Sequence, residues 1–346
     1  MKNSLVSMFV IFAAAAACAA DTTYSWKNGN SGSWTDADNW INLTDGVAGF
    51  PAEGDVALFD AGTTGRVELA QATTIDRLDV SATGASVTLL MPTDSVFSAT
   101  GELIVGESTV LVIDAQGGAT FSKPSKTRLS AGARLSLLNG VKYSTDGTYT
   151  KGDGASLRMT GGSSFTSGDH IYLNHKDVTL ELDDSNMFSW NTIRLGDGFR
   201  LIARGERAQL SPRSGFFSSG TLTVDVELPE NDFSTRYNFA GSWRTAQGLI
   251  AYGADGMNFP SGAQVTFNVL RSSPGRLAKG TRTYTLVNCS GSSGKRLDAS
   301  QVTLVGLNGG DHVVYTWEDG ADPETDAAYR LQVSVSGGSG FRLSIR

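Results

Sequence analysis

The sequence predicts an all-β protein, a parallel β-helix with β-rich ends, and two observations carry the prediction. One short pattern comes round seven times between Val87 and Val224, and in that stretch apolar residues nowhere fall at helical spacing. Each round opens on an apolar, outward, apolar step that starts at Val87, Val110, Leu135, Leu157, Val178, Leu201 or Leu222, so the openings lie 21–25 residues apart. A fixed period of this length marks a repeat architecture. Alternation within each step marks strands.

In each opening, as in Val87-Thr88-Leu89, Val110-Leu111-Val112 and Leu135-Ser136-Leu137, the two outer residues are expected to face inward. Eight to eleven residues further on stands one large apolar residue: Phe97, Phe121, Tyr143, Phe165, Phe188, Leu210 or Phe233. A second step closed by a turn residue follows in most rounds, as in Leu103-Ile104-Val105-Gly106, Leu129-Ser130-Ala131-Gly132 and Ile193-Arg194-Leu195-Gly196. In Ile171-Tyr172-Leu173-Asn174 the glycine is an asparagine. Asparagine is the residue that best tolerates a left-handed backbone after glycine, so this position is expected to need a positive φ. A single turn of short strands cannot bury its own inner face, whereas stacked turns bury a continuous column and pair every backbone edge. The expected body is a solenoid of about 22 residues per turn with three faces, and seven turns at roughly 4.8 Å give a rod of about 30 Å.

Met1–Ala20 reads as a secretory signal, with Lys2 as the positive flank, an apolar run over Leu5–Ala17 and the small residues Cys18-Ala19-Ala20 before Asp21. The run is too short to cross a bilayer, and no later segment approaches the about 20 apolar residues that a spanning helix needs. A lipoprotein signal would make Cys18 the lipidated residue, but Ala15-Ala16-Ala17 lacks the large aliphatic residue usual three positions before such a cysteine. With the signal gone, Cys289 is the only cysteine, so no disulfide can form within the chain, and a thiol in an apolar strand packs as an inert residue. The formal net charge of -7 argues against nucleic acid or an anionic membrane as partner. The 41 glycines suit a chain of many turns.

Residues 21–62 are expected to form an N-terminal cap. Trp26, Trp34 and Trp40 fall within a short stretch punctuated by Gly, Asn and Asp. Indole faces can stack on sugar rings, but an open first turn needs covering and buried tryptophan supplies the area, so the cap is the favoured reading. The element Trp34-Thr35-Asp36-Ala37-Asp38-Asn39-Trp40, with Pro51, Gly54-Asp55-Val56-Ala57-Leu58-Phe59 and the later repeats, resembles the secreted, autotransporter-passenger-like β-solenoid proteins of bacteria with autotransporter-associated β-strand repeats. The resemblance covers most of the chain after the signal. It implies a right-handed solenoid at or beyond the cell surface, usually without catalysis. The sequence departs from a complete autotransporter in that no pore-forming barrel follows, and Phe341-Arg342-Leu343-Ser344-Ile345-Arg346 lacks a terminal aromatic, so export by another route is expected.

Val67-Glu68-Leu69, Ile75 and Leu78-Asp79-Val80 read as an incomplete first turn joining cap to rod, the solenoid being placed at 63–234. The period fails after Val224. Longer strand candidates follow at 248–252, 264–270, 282–287, 301–305, 313–317 and 329–335, several of them alternating cleanly, so residues 235–346 are expected to form a β-sandwich-like C-terminal cap.

The chemistry was weighed on the same residues. Asp183-Asp184, with Asp169-His170 one turn earlier, is the best carboxylate set for glycoside hydrolysis, but adjacent strand residues point to opposite faces. Arg194, Arg200, Arg204, Arg207 and Arg213 cluster in sequence with Asp197 and Glu206 among them, which fits a solvated face. The three histidines, His170, His175 and His312, lack the spacing and cysteine partners of a zinc site. Asp36-Ala37-Asp38-Asn39 could offer oxygens to calcium, yet reads more simply as a turn cap. Asn42-Leu43-Thr44 and Asn288-Cys289-Ser290 match the glycosylation sequon without a context that gives them weight. The expectation is therefore a non-catalytic, secreted or cell-surface structural or adhesion-type rod with no catalytic residues, metal ligands or cofactor, meeting extracellular polysaccharide or surface matrix. The alternative is a polysaccharide-binding or polysaccharide-degrading β-helix of pectate-lyase type.

Overall fold

A computed structural model describes residues 22–27, 29, 31–60, 62–122, 124–217, 220–239, 242–252, 256–260, 262–270, 280–289, 299–306 and 329–337. The expected signal over Met1–Ala20, the candidate strand at 313–317, His312 and the terminal 341–346 lie outside the described residues. The chain forms a parallel β-solenoid of about seven turns, with ~23 residues per turn and 2% helix. Among the described residues no helix is long and apolar enough to cross a membrane.

Three ladders run along the rod. The first is an eleven-stranded sheet that includes Thr64–Glu68, Ser86–Leu90, Val110–Asp114, Arg134–Leu138, Ser156–Met159, Thr179–Asp183, Phe199–Arg204 and Thr221–Glu227. Its register is unbroken: Val87, Leu111, Leu135, Leu157, Leu180, Leu201, Val224 and Phe267 are successive partners, every one buried. The second ladder carries the large apolar residue of each turn on strands Ala72–Ile75, Val96–Ala99, Ala119–Ser122, Val141–Thr145, Ser164–Ser167 and the first half of Asn186–Leu195. The third ladder takes Val56–Leu58, Arg77–Val80, Glu102–Val105, Lys126–Leu129, Thr148–Thr150, Ile171–Leu173 and the second half of Asn186–Leu195.

The core is an aromatic column inside the second ladder. Phe97, Phe121, Tyr143 and Phe165 stack with centroids 4.7, 5.1 and 4.7 Å apart and ring planes within 22° of parallel. The strand spacing imposes this distance, which also suits offset stacking. The Tyr143 hydroxyl is buried and shares a 2.6 Å hydrogen bond with Thr127, and burial pushes its phenol far above the ordinary value. The three cap tryptophans continue the column. Trp34 meets Phe97 edge-on at 5.5 Å, and Trp40 lies 4.9 Å from both Trp34 and Trp26. Trp34 Nε1 donates to the Pro51 carbonyl and Trp40 Nε1 to the Trp34 carbonyl. At about 150–250 Å² per ring, each buried indole contributes on the order of 4–6 kcal/mol of gross burial. The tryptophans are thus packing residues of the rod's end, and their faces are closed to a sugar.

Several local expectations are corrected. In the second round it is Leu111 and Ile113 that face inward, while Val110 and Val112 are half-exposed. Met187 follows Phe165 in the column. Phe188, on the other side of the strand, packs edge-on against Trp190 at 5.2 Å. Phe233 is buried outside the column, where Ile250 pairs with Leu210. The first turn is complete, because Thr64–Glu68, Ala72–Ile75 and Arg77–Val80 supply all three faces.

The positive-φ requirement also moves. Of Gly106, Gly132, Asn174 and Gly196, only Gly132 has a positive φ, 63°. Gly106 and Gly196 are demanded by close packing of turns: a Cβ there would come within 2.3 Å of the Ser81 carbonyl oxygen and 2.2 Å of that of His175. The left-handed position lies at the corner before the first ladder, held by Gly84, Ser108, Gly132, Gly154, Asp177 and Gly198 in successive turns. A buried residue follows each: Ala85, Thr109, Ala133, Ala155, Val178 and Phe199.

Pairing does not stop where the period fails. Gln264–Leu270 adds in parallel register to Thr221–Glu227, and Val302–Val305 adds to it in turn. An antiparallel hairpin of Ser234–Phe239 and Ser242–Gln247 interrupts the sequence between them. Antiparallel pairing within the main sheets returns at the far end, where Gly280–Cys289 meets Tyr329–Gly337.

Candidate functional site

The residues weighed for catalysis are dispersed around the cross-section of the rod. Asp183 ends a first-ladder strand, and Asp184 follows at the corner with φ 49°. Asp169 lies at the opposite end of the second-ladder strand, at the corner before the third ladder. Asp184 is tied to Arg207 of the next turn, whose guanidinium holds its carboxyl below the ordinary value despite partial burial. Asp169 accepts from Asn191 Nδ2 at 3.0 Å and stands 3.3 Å from His170 Nε2. The two sites do not converge.

The arginines separate in the same way. Arg200 and Arg204 belong to the first ladder, Arg207 to a corner, Arg213 to the strand Gln209–Phe217 and Arg194 to the third ladder. On the first ladder they close on carboxylates of neighbouring turns. Arg204 meets Glu181 at 2.7 Å and Glu227 at 3.8 Å, Arg158 meets Glu181 at 3.3 Å, and Arg200 meets Asp225 at 2.5 Å. The part-exposed pairs of Glu181 and Glu227 contribute about 0–1 kcal/mol each, whereas the Asp225 carboxylate is buried beneath Arg200; together the pairs neutralise that face.

His170 and His175 flank the two ends of the strand Ile171–Leu173, His175 Nδ1 lying 3.5 Å from Asp153. Among the described residues no three His, Cys, Asp or Glu side chains gather closely enough to hold a metal ion. Asp36 caps the short 3-10 turn Ala37–Asn39 by accepting from the Asp38 N–H at 3.0 Å. Asn42 Oδ1 closes a turn on the Thr44 N–H, and Asn288 and Cys289 lie at the end of the strand Gly280–Cys289.

What the fold does bring together is a column on the outer side of the third ladder. Register places Ile104, Arg128, Tyr149, Tyr172 and Arg194 on five successive turns, all outward. Tyr149 and Tyr172 are half-buried, with centroids 5.2 Å apart and planes at 68°. The Arg194 guanidinium lies 4.8 Å from the Tyr172 centroid, and Lys151 Nζ lies 5.5 Å from that of Tyr149. His170, two residues before Tyr172 on the same face, stacks on it at 5.1 Å. Arg128 is held to Glu102 at 2.6 Å.

Gly147 gives this arrangement its shape. A Cβ there would come within 3.0 Å of the Tyr149 ring, so the ring lies across the missing side chain. Burial pushes the Tyr149 phenol above its ordinary value, and the charge of Asp169 adds to the rise. The result is a strip of two tyrosine rings, with Lys151 over Tyr149 and with Arg194 and His170 packed against Tyr172.

No family model, curated protein or solved structure matches the chain. The fold stands on its own geometry, and the resemblance to passenger proteins rests on the tryptophan element and the repeats.

The sequence reading passed over this strip for a physical reason. In Thr148-Tyr149-Thr150 the inward residues are threonines, whose buried hydroxyls break the apolar signal. Aligning the middle residues of the third-ladder strands, Tyr149 with Tyr172 and Arg194, is the signal that finds it.

Proposed function

We propose that this chain is a non-catalytic rod of the cell exterior, exported by its N-terminal signal, that serves as a structural or adhesive element. The observation that supports the reading is the use of the side chains. Inward positions are spent on a continuous column, and the outward charges of the first ladder neutralise one another between turns. The carboxylates that could have served a glycosidase stand at separate corners, each tied to a neighbour. Surface retention follows from contact along the rod's outer faces.

The test takes the secreted chain into two assays, adhesion to extracted surface matrix and turnover of a panel of polysaccharides. The proposal expects saturable adhesion and no product. Release of reducing sugars or of unsaturated uronates at any enzyme-like rate would falsify it.

A further inference from the structure

We propose that the rods join end to end, the segment Phe341-Arg342-Leu343-Ser344-Ile345-Arg346 of one copy docking on an apolar loop in the N-terminal cap of the next. The inference goes beyond the adhesive reading and does not depend on it, since the contact lies between two copies of the chain.

The loop runs from Leu43 to Phe50. Leu43, Val47 and Phe50 are 54%, 61% and 40% exposed, and among the described residues only Val96 and Val305 join them as exposed large apolar side chains. Three such residues on one short loop make a patch, where scattered ones would need no explanation. The loop is also held in shape. The Leu43 N–H donates to the Thr23 carbonyl, the Asn42 N–H to that of Val47 and the Gly46 N–H to that of Asn42. Gly49 lies against the Tyr24 ring, where a Cβ would come within 2.9 Å, and Tyr24 itself packs on the core. A loop fixed in advance loses little entropy when it is covered.

Charge selects the occupant. From Ile41 to Asp60 the carboxylates are Asp45, Glu53, Asp55 and Asp60, and there is no cation. Burial, and then the charges of Asp55 and Asp45, push the Tyr24 phenol above its ordinary value, so both carboxylates border the loop. This rim repels a second cap and an anionic membrane. Residues 327–346, by contrast, carry Arg330, Arg342 and Arg346 and no acid. In an extended backbone Phe341, Leu343 and Ile345 fall on one side and cover the patch, while the long stems of Arg342 and Arg346 bring their guanidinium groups round to the rim.

The reach of the segment makes the partner another molecule. The nine residues 338–346 span at most about 32 Å beyond Gly337. Nine strand pairings separate Ala72–Ile75, at the cap end, from Tyr329–Gly337. At roughly 4.8 Å each they amount to about 43 Å, so the segment falls short of its own cap. Segment and loop are different surfaces, and each copy in a pair leaves one of them free, so association runs on into chains.

Sedimentation velocity of the full secreted chain from about 1 to 100 µM tests the contact, whose size puts it in the weak class below about 1,200 Å². The mean mass should rise past the dimer with concentration and fall back as salt is raised. Val47→Asp, which sets a carboxylate in the patch, and the double change Arg342→Glu with Arg346→Glu should each weaken association at least about tenfold. Mixed together, the two variants should form one-to-one pairs and nothing longer, because one intact segment meets one intact loop.

Circular dichroism of each variant separates loss of contact from loss of fold, and Val47→Ser supplies a milder change should Val47→Asp unfold. A parent chain that is monomeric throughout, association undiminished in either variant, or a mixture that forms no pairs overturns the inference. So does flotation of the parent chain with phosphatidylcholine vesicles that Val47→Asp abolishes, which would give the loop to lipid. Assembly by a chain that does not adhere to matrix leaves this inference standing and removes the adhesive role, and adhesion by a chain that stays monomeric does the reverse.

Discussion

Removing one ring from the middle of the aromatic column tests how the rod is held together. Phe121 is fully buried between Phe97 at 4.7 Å and Tyr143 at 5.1 Å. Phe121→Ala deletes the ring and leaves a void that the flanking strands, fixed in register above and below, cannot close. Substitutions of this kind cost about 3–5 kcal/mol, and the fixed strand spacing puts the expected value near the upper half of that range. Phe121→Leu keeps most of the volume and should cost about 1–2 kcal/mol. Urea unfolding read by circular dichroism, with the tryptophan fluorescence of the cap as a second probe in a background where Trp190, Trp243 and Trp317 are phenylalanine, measures both. Solenoids couple only nearest turns. The cap signal should therefore melt with the body in the parent chain and separate from it in Phe121→Ala. A loss below about 1 kcal/mol with the two probes still coincident would show that the column does not carry the stability assigned to it.

Three further expectations follow from single positions. Gly106→Ala places a Cβ 2.3 Å from the Ser81 carbonyl oxygen, with the Ser81 Cα at 2.4 Å, and should cost about 3 kcal/mol in urea unfolding; a neutral result would mean the corner is looser than described. Ser108 holds a left-handed backbone at φ 55° where four neighbouring turns use glycine, so Ser108→Gly should raise stability by up to about 1 kcal/mol, and any clear loss counts against the corner's geometry.

Asp184 has a folded pKa lowered chiefly by the Arg207 hydrogen bond, so its contribution is full above the ordinary carboxylate value and is lost as pH falls through the lowered one. The side chain is 38% exposed, which reduces the effect to about 0.5 kcal/mol after solvent screening. Arg207→Ala should remove that part of the acid limb below about pH 4, and an unchanged limb argues against the pair.

The body of the fold was legible where apolar and polar residues alternate strictly. Leu135-Ser136-Leu137 and Leu157-Arg158-Met159 declare their inward sides, and both face inward as read. Where neighbours are all apolar the phase is undetermined. In Val110-Leu111-Val112-Ile113 the reading slips by one residue, and beside Met187 it selects Phe188. Inward threonines hid the strand Thr148–Thr150 altogether.

Beyond Val224 the hairpin of Ser234–Phe239 and Ser242–Gln247 lengthens the sequence between ladder partners such as Asp225 and Asn268. The period is therefore lost although the pairing is kept. The candidate site was the least legible part, because it is made by stacking: Tyr149 and Tyr172 are remote in sequence and adjacent only once turns are in register. Outward columns carry no periodic apolar signal within one turn, so they emerge only when the turns are aligned.

The rod is built of turns stacked in parallel register, and a molecular ruler measures that directly. Thr88, Val112, Ser136, Arg158, Glu181 and Ile202 are successive outward partners of the first ladder. Spin labels on Thr88 and Ile202 span five strand spacings, so pulsed dipolar spectroscopy should give a mean distance of about 24 Å. Moving the first label from Thr88 to Val112 should shorten it by about 4.8 Å, one spacing. Distances that fall by one strand spacing per turn are the result the parallel solenoid predicts, and distances that do not follow turn number contradict it.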